Sequence, residues 1–124
     1  MYALAAEEYN PKFELMWSTF YDEDGYILYK DAPIYCGQYA QLEREWDSRM
    51  MEIPWPADAQ DEANIHITEG QILVGMLDQC AAAPGTYAGV DALLTDIEAE
   101  EATYWVTVDI LRAAIGLPPA YEGG

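Results

Sequence analysis

The chain has 124 residues, with 23 Asp and Glu against five Lys and Arg, so its formal net charge is −18. Hydrophobic residues make up 52% of it, which excludes the disordered class that such a charge would otherwise suggest. This length is enough for one domain with its own apolar core, and we predict a single domain over residues 1–124.

The acidic balance also restricts the kind of partner. Between residues 50 and 111 there are twelve acids and no Lys or Arg. Binding to the phosphates of nucleic acid or of anionic lipid depends on basic side chains, so we predict no direct nucleic-acid binding and no membrane binding. A negative field of this size attracts a basic protein surface, which we predict as the partner. The sequence leaves the oligomeric state open.

The first residues contain neither the basic segment nor the apolar stretch of a signal peptide, which predicts a cytoplasmic protein. Cys36 and Cys80 lie far apart in apolar surroundings, a pattern that favours reduced, buried thiols in the cytosol. A single disulfide between the two cysteines is the open alternative.

The first element predicted along the chain is a β-hairpin. Residues 13–20 and 26–29 are rich in aromatic and apolar side chains, and they flank an Asp-Glu-Asp-Gly turn. Gly25 would provide the positive φ of that turn. A calcium loop is the alternative reading of Asp22, Asp24 and Gly25, but Phe20 would occupy its first ligand position. The hairpin is therefore favoured.

Helices are predicted for most of the remaining chain. Apolar residues recur at steps of three and four from Tyr39 to Ile53, with Glu43, Glu45 and Asp47 turned towards solvent. Residues 54–64 form an exposed acidic connector. The next helix begins at Thr68, and the last lies between residues 90 and 115, with residue 95 as an alternative start. We predict an α+β fold, mostly helical with the N-terminal hairpin; an all-α fold is the alternative.

No catalytic pattern is present. His66 is the only histidine, Ser18 and Ser48 are the only serines, and no spacing supports a nucleophile beside a base. One histidine and two separated cysteines do not complete an ordinary zinc site. We predict that the protein is not an enzyme and that it uses neither a cofactor nor a metal ion.

The last predicted helix presents an acidic stripe with one large aromatic residue. Its members Glu98, Glu101, Trp105 and Asp109 follow at steps of three or four, so they share a helix face. The connector and the turn add further acids. The predicted partner-binding residues are Glu98, Glu101, Trp105, Asp109, Asp58, Asp61, Glu62, Asp22, Glu23 and Asp24.

Small size, extreme acidity, ten tyrosines and the lack of catalytic motifs resemble the character of phage-encoded DNA-mimic inhibitors, such as anti-CRISPR and anti-restriction proteins. The resemblance implies a viral inhibitor, acting in the host cytoplasm, that binds the basic nucleic-acid-binding surface of an effector complex. Two alternatives stay open. One is an acidic accessory factor, such as a phage assembly component, an immunity protein or an adaptor, and the other is a halophile protein whose charge is adaptive.

Overall fold

The computed structural model describes residues 1–120. It contains four α-helices: α1 (Tyr2–Phe20), α2 (Ala32–Glu52), α3 (Gln60–Ala81) and α4 (Tyr87–Ala114). A short 3-10 helix over Tyr29–Asp31 leads directly into α2. The N-cap of α4 is Thr86, whose hydroxyl accepts a hydrogen bond from the backbone N–H of Gly89 at 3.1 Å.

Each helix runs antiparallel to the one before it. The start of α1 meets the end of α2 where Arg49 pairs with Glu8 at 2.6 Å, whereas the end of α1 meets the start of α2 where the rings of Phe20 and Tyr35 contact. Between α3 and α4, His66 contacts Tyr104. The chain is therefore an up-and-down four-helix bundle, as short connections between helices favour.

The interior has two apolar clusters, one towards each end of the bundle. One surrounds Cys36 and Cys80 and includes Tyr35, Leu73 and Leu77. The other lies at the opposite end, where the first residues of α1 cover α2, α3 and α4; its buried members are Tyr2, Ala5, Ala6, Tyr9, Trp46, Met50, Ala63 and Leu111. A layer of buried polar side chains lies between these two clusters.

The prediction of an α+β fold with an N-terminal hairpin was wrong, since residues 1–120 contain only helices and loops. The segment predicted as the first strand, residues 13–20, is the second half of α1. Its buried residues continue the helical spacing of Tyr2 and Tyr9, but Pro11 interrupts the pattern in the sequence. Proline disfavours a helix interior, and this obscured the helix. The all-α alternative describes the fold.

Three smaller predictions also need correction. Helix α3 begins at Gln60, so the predicted connector is partly helical and Thr68 lies inside the helix. Helix α4 begins at Tyr87, three residues before the predicted start at residue 90 and eight before the alternative start at Thr95. Cys36 and Cys80 form a disulfide, with their Cα atoms 5.8 Å apart, because antiparallel packing brings the start of α2 beside the end of α3.

Candidate functional site

The turn after α1 owes its shape to Asp22. One carboxylate oxygen, Oδ1, accepts hydrogen bonds from the backbone N–H groups of Asp24 at 3.0 Å and Tyr26 at 2.9 Å. Gly25 has a φ of +81°, which confirms the predicted positive φ at this position. The Asp22 carboxylate therefore serves as an Asx-type support of the turn.

This turn lies beside the start of α4. The Tyr29 hydroxyl donates a hydrogen bond to Asp91 Oδ1 at 3.0 Å. Burial raises the pKa of Tyr21, and the nearby charges of Glu101 and Glu98 raise it further. We call this end of the bundle, which contains the turn and the first half of α4, the acidic end. Its members are Asp22, Glu23, Asp24, Asp91, Asp96 and Glu98, all exposed except the half-buried Asp91.

The ten predicted partner-binding residues do not form one surface. Asp61 and Glu62 lie in the first turn of α3, and Asp58 lies in the loop just before it, at the other end of the bundle. A helix of 22 residues is about 33 Å long, so this group lies about 30 Å from the acidic end. The structure brings together Asp22, Glu23, Asp24 and Glu98.

The predicted stripe on α4 is not its outermost face. Glu98 is exposed, but Glu101, Trp105 and Asp109 are half-buried and lie on the side of α4 that faces α1. Asp109 accepts a hydrogen bond from the backbone N–H of Ala120 at 3.1 Å. The exposed face is uncharged from residue 99 to residue 113; its members are Ala99, Ala102, Thr103, Val106, Ile110 and Ala113.

Two carboxylates that were expected on the surface lie inside the bundle. Glu43 is 1% exposed and Asp47 is 4% exposed, and both face Gly70 of α3. A Cβ at residue 70 would lie 2.9 Å from Asp47 Oδ2 and 2.9 Å from Glu43 Oε1. Glycine is therefore needed at residue 70 to leave room for the carboxylates. Within residues 1–120, Glu43 Oε1 and Asp47 Oδ1 have no hydrogen-bond partner.

His66 is also buried in the interior, where it bonds to residues of α2 and α4. Trp46 Nε1 donates to His66 Nε2 at 2.9 Å, which requires that this nitrogen be unprotonated. The other ring nitrogen, Nδ1, lies 3.1 Å from Thr107 Oγ1 and carries the proton in this tautomer. The Thr107 hydroxyl in turn donates to the Tyr104 carbonyl at 2.6 Å. We call Glu43, Asp47, His66, Tyr104 and Thr107 the polar layer.

Burial controls protonation in this region. It raises the pKa of Glu43 well above its usual range, with the charge of Asp47 as a further cause, and raises that of Asp47 to about 7. It lowers the pKa of His66 to about 4. Burial also raises the pKa of Glu101 to about 7, although the Tyr39 hydroxyl, which donates to Glu101 Oε2 at 3.2 Å, opposes this shift. The formal charge of −18 therefore overstates the charge of the folded protein.

The spacing of the sequence contained a signal for the buried carboxylates. Tyr39, Glu43, Trp46 and Met50 follow at steps of three and four, so Glu43 lies on the same helix stripe as three core residues. Sequence reasoning placed Glu43 and Asp47 outside because charged side chains are rarely buried without a partner. Tyr9 is likewise in the interior, with 5% of its surface exposed.

These features define the class of the molecule as an acidic antiparallel four-helix bundle with a polar layer in its interior. Among residues 1–120, no group of three or more His, Cys, Asp or Glu is placed to hold a metal ion. No helix in that part of the chain is long and apolar enough to cross a membrane. Searches against protein-family models, curated proteins and solved structures found no match for this chain.

Proposed function

We propose that the chain is a small acidic inhibitor that binds the basic nucleic-acid-binding surface of a DNA- or RNA-binding effector in the host cytoplasm. The acidic end carries this proposal. It combines six acids from a turn and from α4, and Lys30 is the only basic residue in residues 21–31 and 82–98. Solvated protein surfaces usually mix charges of both signs, so this end is unusual.

The rigidity of the acidic end supports binding to a fixed array of cations. Asp22 holds its turn through two backbone hydrogen bonds, and the Tyr29–Asp91 bond ties the following segment to α4. A backbone whose shape is fixed before binding loses little conformational freedom when a partner docks. The charges of such a surface increase the association rate, and salt weakens that effect.

A test needs two variants that lose equal charge at opposite ends of the bundle. The first changes Glu23, Asp24, Asp96 and Glu98 to the corresponding amides, and keeps Asp22 because it supports the turn. The control changes four exposed acids at or near the other end, Glu7, Glu52, Asp58 and Asp61. Both variants lose four negative charges, so only the position of the charges differs.

The measurement is inhibition of DNA binding by purified CRISPR effector complexes and restriction enzymes, in mobility-shift assays at low and moderate salt. We expect the wild type to inhibit at least one effector, with inhibition decreasing as salt increases. The acidic-end variant should lose at least about fourfold in potency, since each of four exposed ion pairs contributes about 0.2–1 kcal/mol. Equal potency of the two variants would remove the acidic end from the proposal.

Far-UV circular dichroism separates this proposal from adaptation to high salt. An inhibitor that works at ordinary ionic strength must be folded there, whereas a halophile protein depends on molar salt to screen its own repulsion. We expect the helical signal to be unchanged between low and molar salt. Folding only at molar salt would overturn the proposal.

The second candidate is the acidic accessory factor, and the uncharged face of α4 favours it. Val106 is 57% exposed and Ile110 is 51% exposed on that face. An adaptor that buries these side chains against a partner would keep its binding at high salt, because burial of apolar surface does not depend on charge. Salt dependence of binding therefore discriminates between the two candidates.

A further inference from the structure

A cavity of about 120 Å³ lies between α1, α2 and α4. Its lining includes seven aromatic rings, those of Tyr2, Phe13, Trp17, Tyr39, Trp46, Tyr104 and Trp105. Five of them form a continuous chain of ring contacts. The centroids of Phe13 and Tyr39 are 5.9 Å apart, those of Tyr39 and Trp17 6.3 Å, and those of Trp17 and Trp105 6.2 Å. Tyr104 lies 5.7 Å from Trp105.

The charges around the cavity favour a cation. Glu14 and Glu43 line it, and Arg112 is the one basic residue in the lining. Arg112 is already engaged, since its Nε donates to the Pro118 carbonyl at 2.6 Å and its guanidinium lies 5.6 Å from the Tyr2 ring centroid. Glu43 is 1% exposed, and a buried carboxylate is costly unless it is protonated or paired with a positive charge.

We propose that this cavity binds an alkylated ammonium group, either on a free small molecule or on a methylated lysine side chain. Aromatic faces attract a cation whose charge is spread over methyl groups, and rings that surround it exclude water. The cavity is comparable in size to one of about 150 Å³ that holds a benzene molecule. Phe13, Trp17 and Trp105 are half-buried, so the rings reach the surface and leave a route of entry.

Glu43 would supply the negative charge opposite the ammonium group. The charged or titratable groups that face Glu43 are Asp47 and Tyr39 on α2 and Tyr104 and Glu101 on α4, and all of them are acids. Burial raises the pKa of Glu43, so a bound cation would ionise this carboxyl and release its proton to solvent. The affinity for the cation should therefore increase as the pH rises.

Titration of the full chain with choline tests the proposal, since Trp17, Trp46 and Trp105 provide a fluorescence signal at the cavity itself. The control ligand is 3,3-dimethyl-1-butanol, which has the shape of choline without its charge. We expect saturable binding of choline, and binding of the alcohol weaker by at least about tenfold. A pair of peptides, one with trimethyl-lysine and one with lysine, distinguishes a modified protein from a free small molecule as the source of the group.

Two pairs of substitutions, each with a matched control, locate the site. Glu43→Gln keeps the shape of the side chain and should weaken choline binding by at least about tenfold, whereas Glu23→Gln at the exposed turn should not change it. Trp17→Leu should weaken binding, but Trp55→Leu should leave it unchanged, because Trp55 is half-buried outside the cavity lining. Circular dichroism verifies that each variant is folded.

Each outcome of these titrations either supports or overturns the proposal. Binding of choline or of the trimethyl-lysine peptide that is lost in Glu43→Gln supports the proposal and identifies the source of the ammonium group. No saturable binding of choline or of either peptide would overturn it. Equal affinity for choline and the uncharged alcohol would also overturn it, because the cavity would then be merely apolar.

Discussion

The polar layer and the acidic end contain the same kind of side chain in opposite surroundings. Glu43 and Asp47 are nearly inaccessible and face Gly70, so burial favours their protonated forms. Glu23 and Asp24 are exposed on a turn. Water stabilises the ionised carboxylates there, and their charge is available to a partner. Position in the bundle thus decides whether an acid contributes to the surface field or to the internal structure.

The largest expected effect follows from breaking the polar layer at His66. In His66→Ala the buried Trp46 Nε1 loses its acceptor, and a cavity replaces the imidazole. An unsatisfied buried donor costs about 1–3 kcal/mol, and the cavity adds to it, so we expect a loss of about 3 kcal/mol in the free energy of unfolding. Urea denaturation measures it. Ile65→Ala, at an exposed position of the same helix, should change stability far less.

The next prediction compares the effects on stability of replacing two glycines of α3. Gly70→Ala would push a methyl group against Asp47 and Glu43, whereas a Cβ at Gly75 meets nothing within 4 Å. We expect Gly70→Ala to lower the free energy of unfolding by about 2 kcal/mol through overpacking. Gly75→Ala should raise it by about 0.5–1 kcal/mol, because alanine favours a helix. Stabilisation by both substitutions would show that the layer can rearrange at little cost.

The smallest expected effect is on how the free energy of unfolding changes with pH, which compares buried with exposed carboxylates. The folded-state pKa of Asp47 is about 7 and that of Glu43 is raised, whereas carboxyls of the unfolded chain titrate near pH 4. Between about pH 4 and 7 the folded state therefore binds more protons, so stability should fall as the pH rises through this window. The double variant Glu43→Gln, Asp47→Asn should lose at least about 1 kcal/mol less than the wild type between pH 6 and 7.5.

The control for this pH comparison changes Glu45 and Glu52 of the same helix to glutamine. These side chains are half-buried and exposed, respectively, so the slope of stability against pH should stay close to that of the wild type. His66 contributes the opposite slope. Burial lowers its pKa to about 4, so its stabilising contribution is lost as the pH falls below about 6.5. That contribution is common to all three proteins. Identical slopes for both variants would contradict the assignment of the effect to Glu43 and Asp47.

Much of the helical architecture was readable from spacing. In α4 the residues Val90, Leu94, Ile97 and Leu111 recur at helical spacing, and all four are buried. The hairpin failed because Pro11 divided one long helix and because aromatic residues are common in both strands and helix cores. The sequence left the disulfide as an alternative, since 44 positions separate Cys36 from Cys80 and only the packing of α2 on α3 brings them together.

The sequence by itself determined the excess of acid, the absence of Lys and Arg between residues 50 and 111, and the periodicity of the second and last helices. These are local or additive properties, so they do not depend on how the helices pack. Only the tertiary structure decided which carboxylates are ionised at the surface and which are enclosed. The free energy of a charge depends on the water and the dipoles around it, and these are set by neighbours distant in the sequence, such as Gly70 beside Glu43.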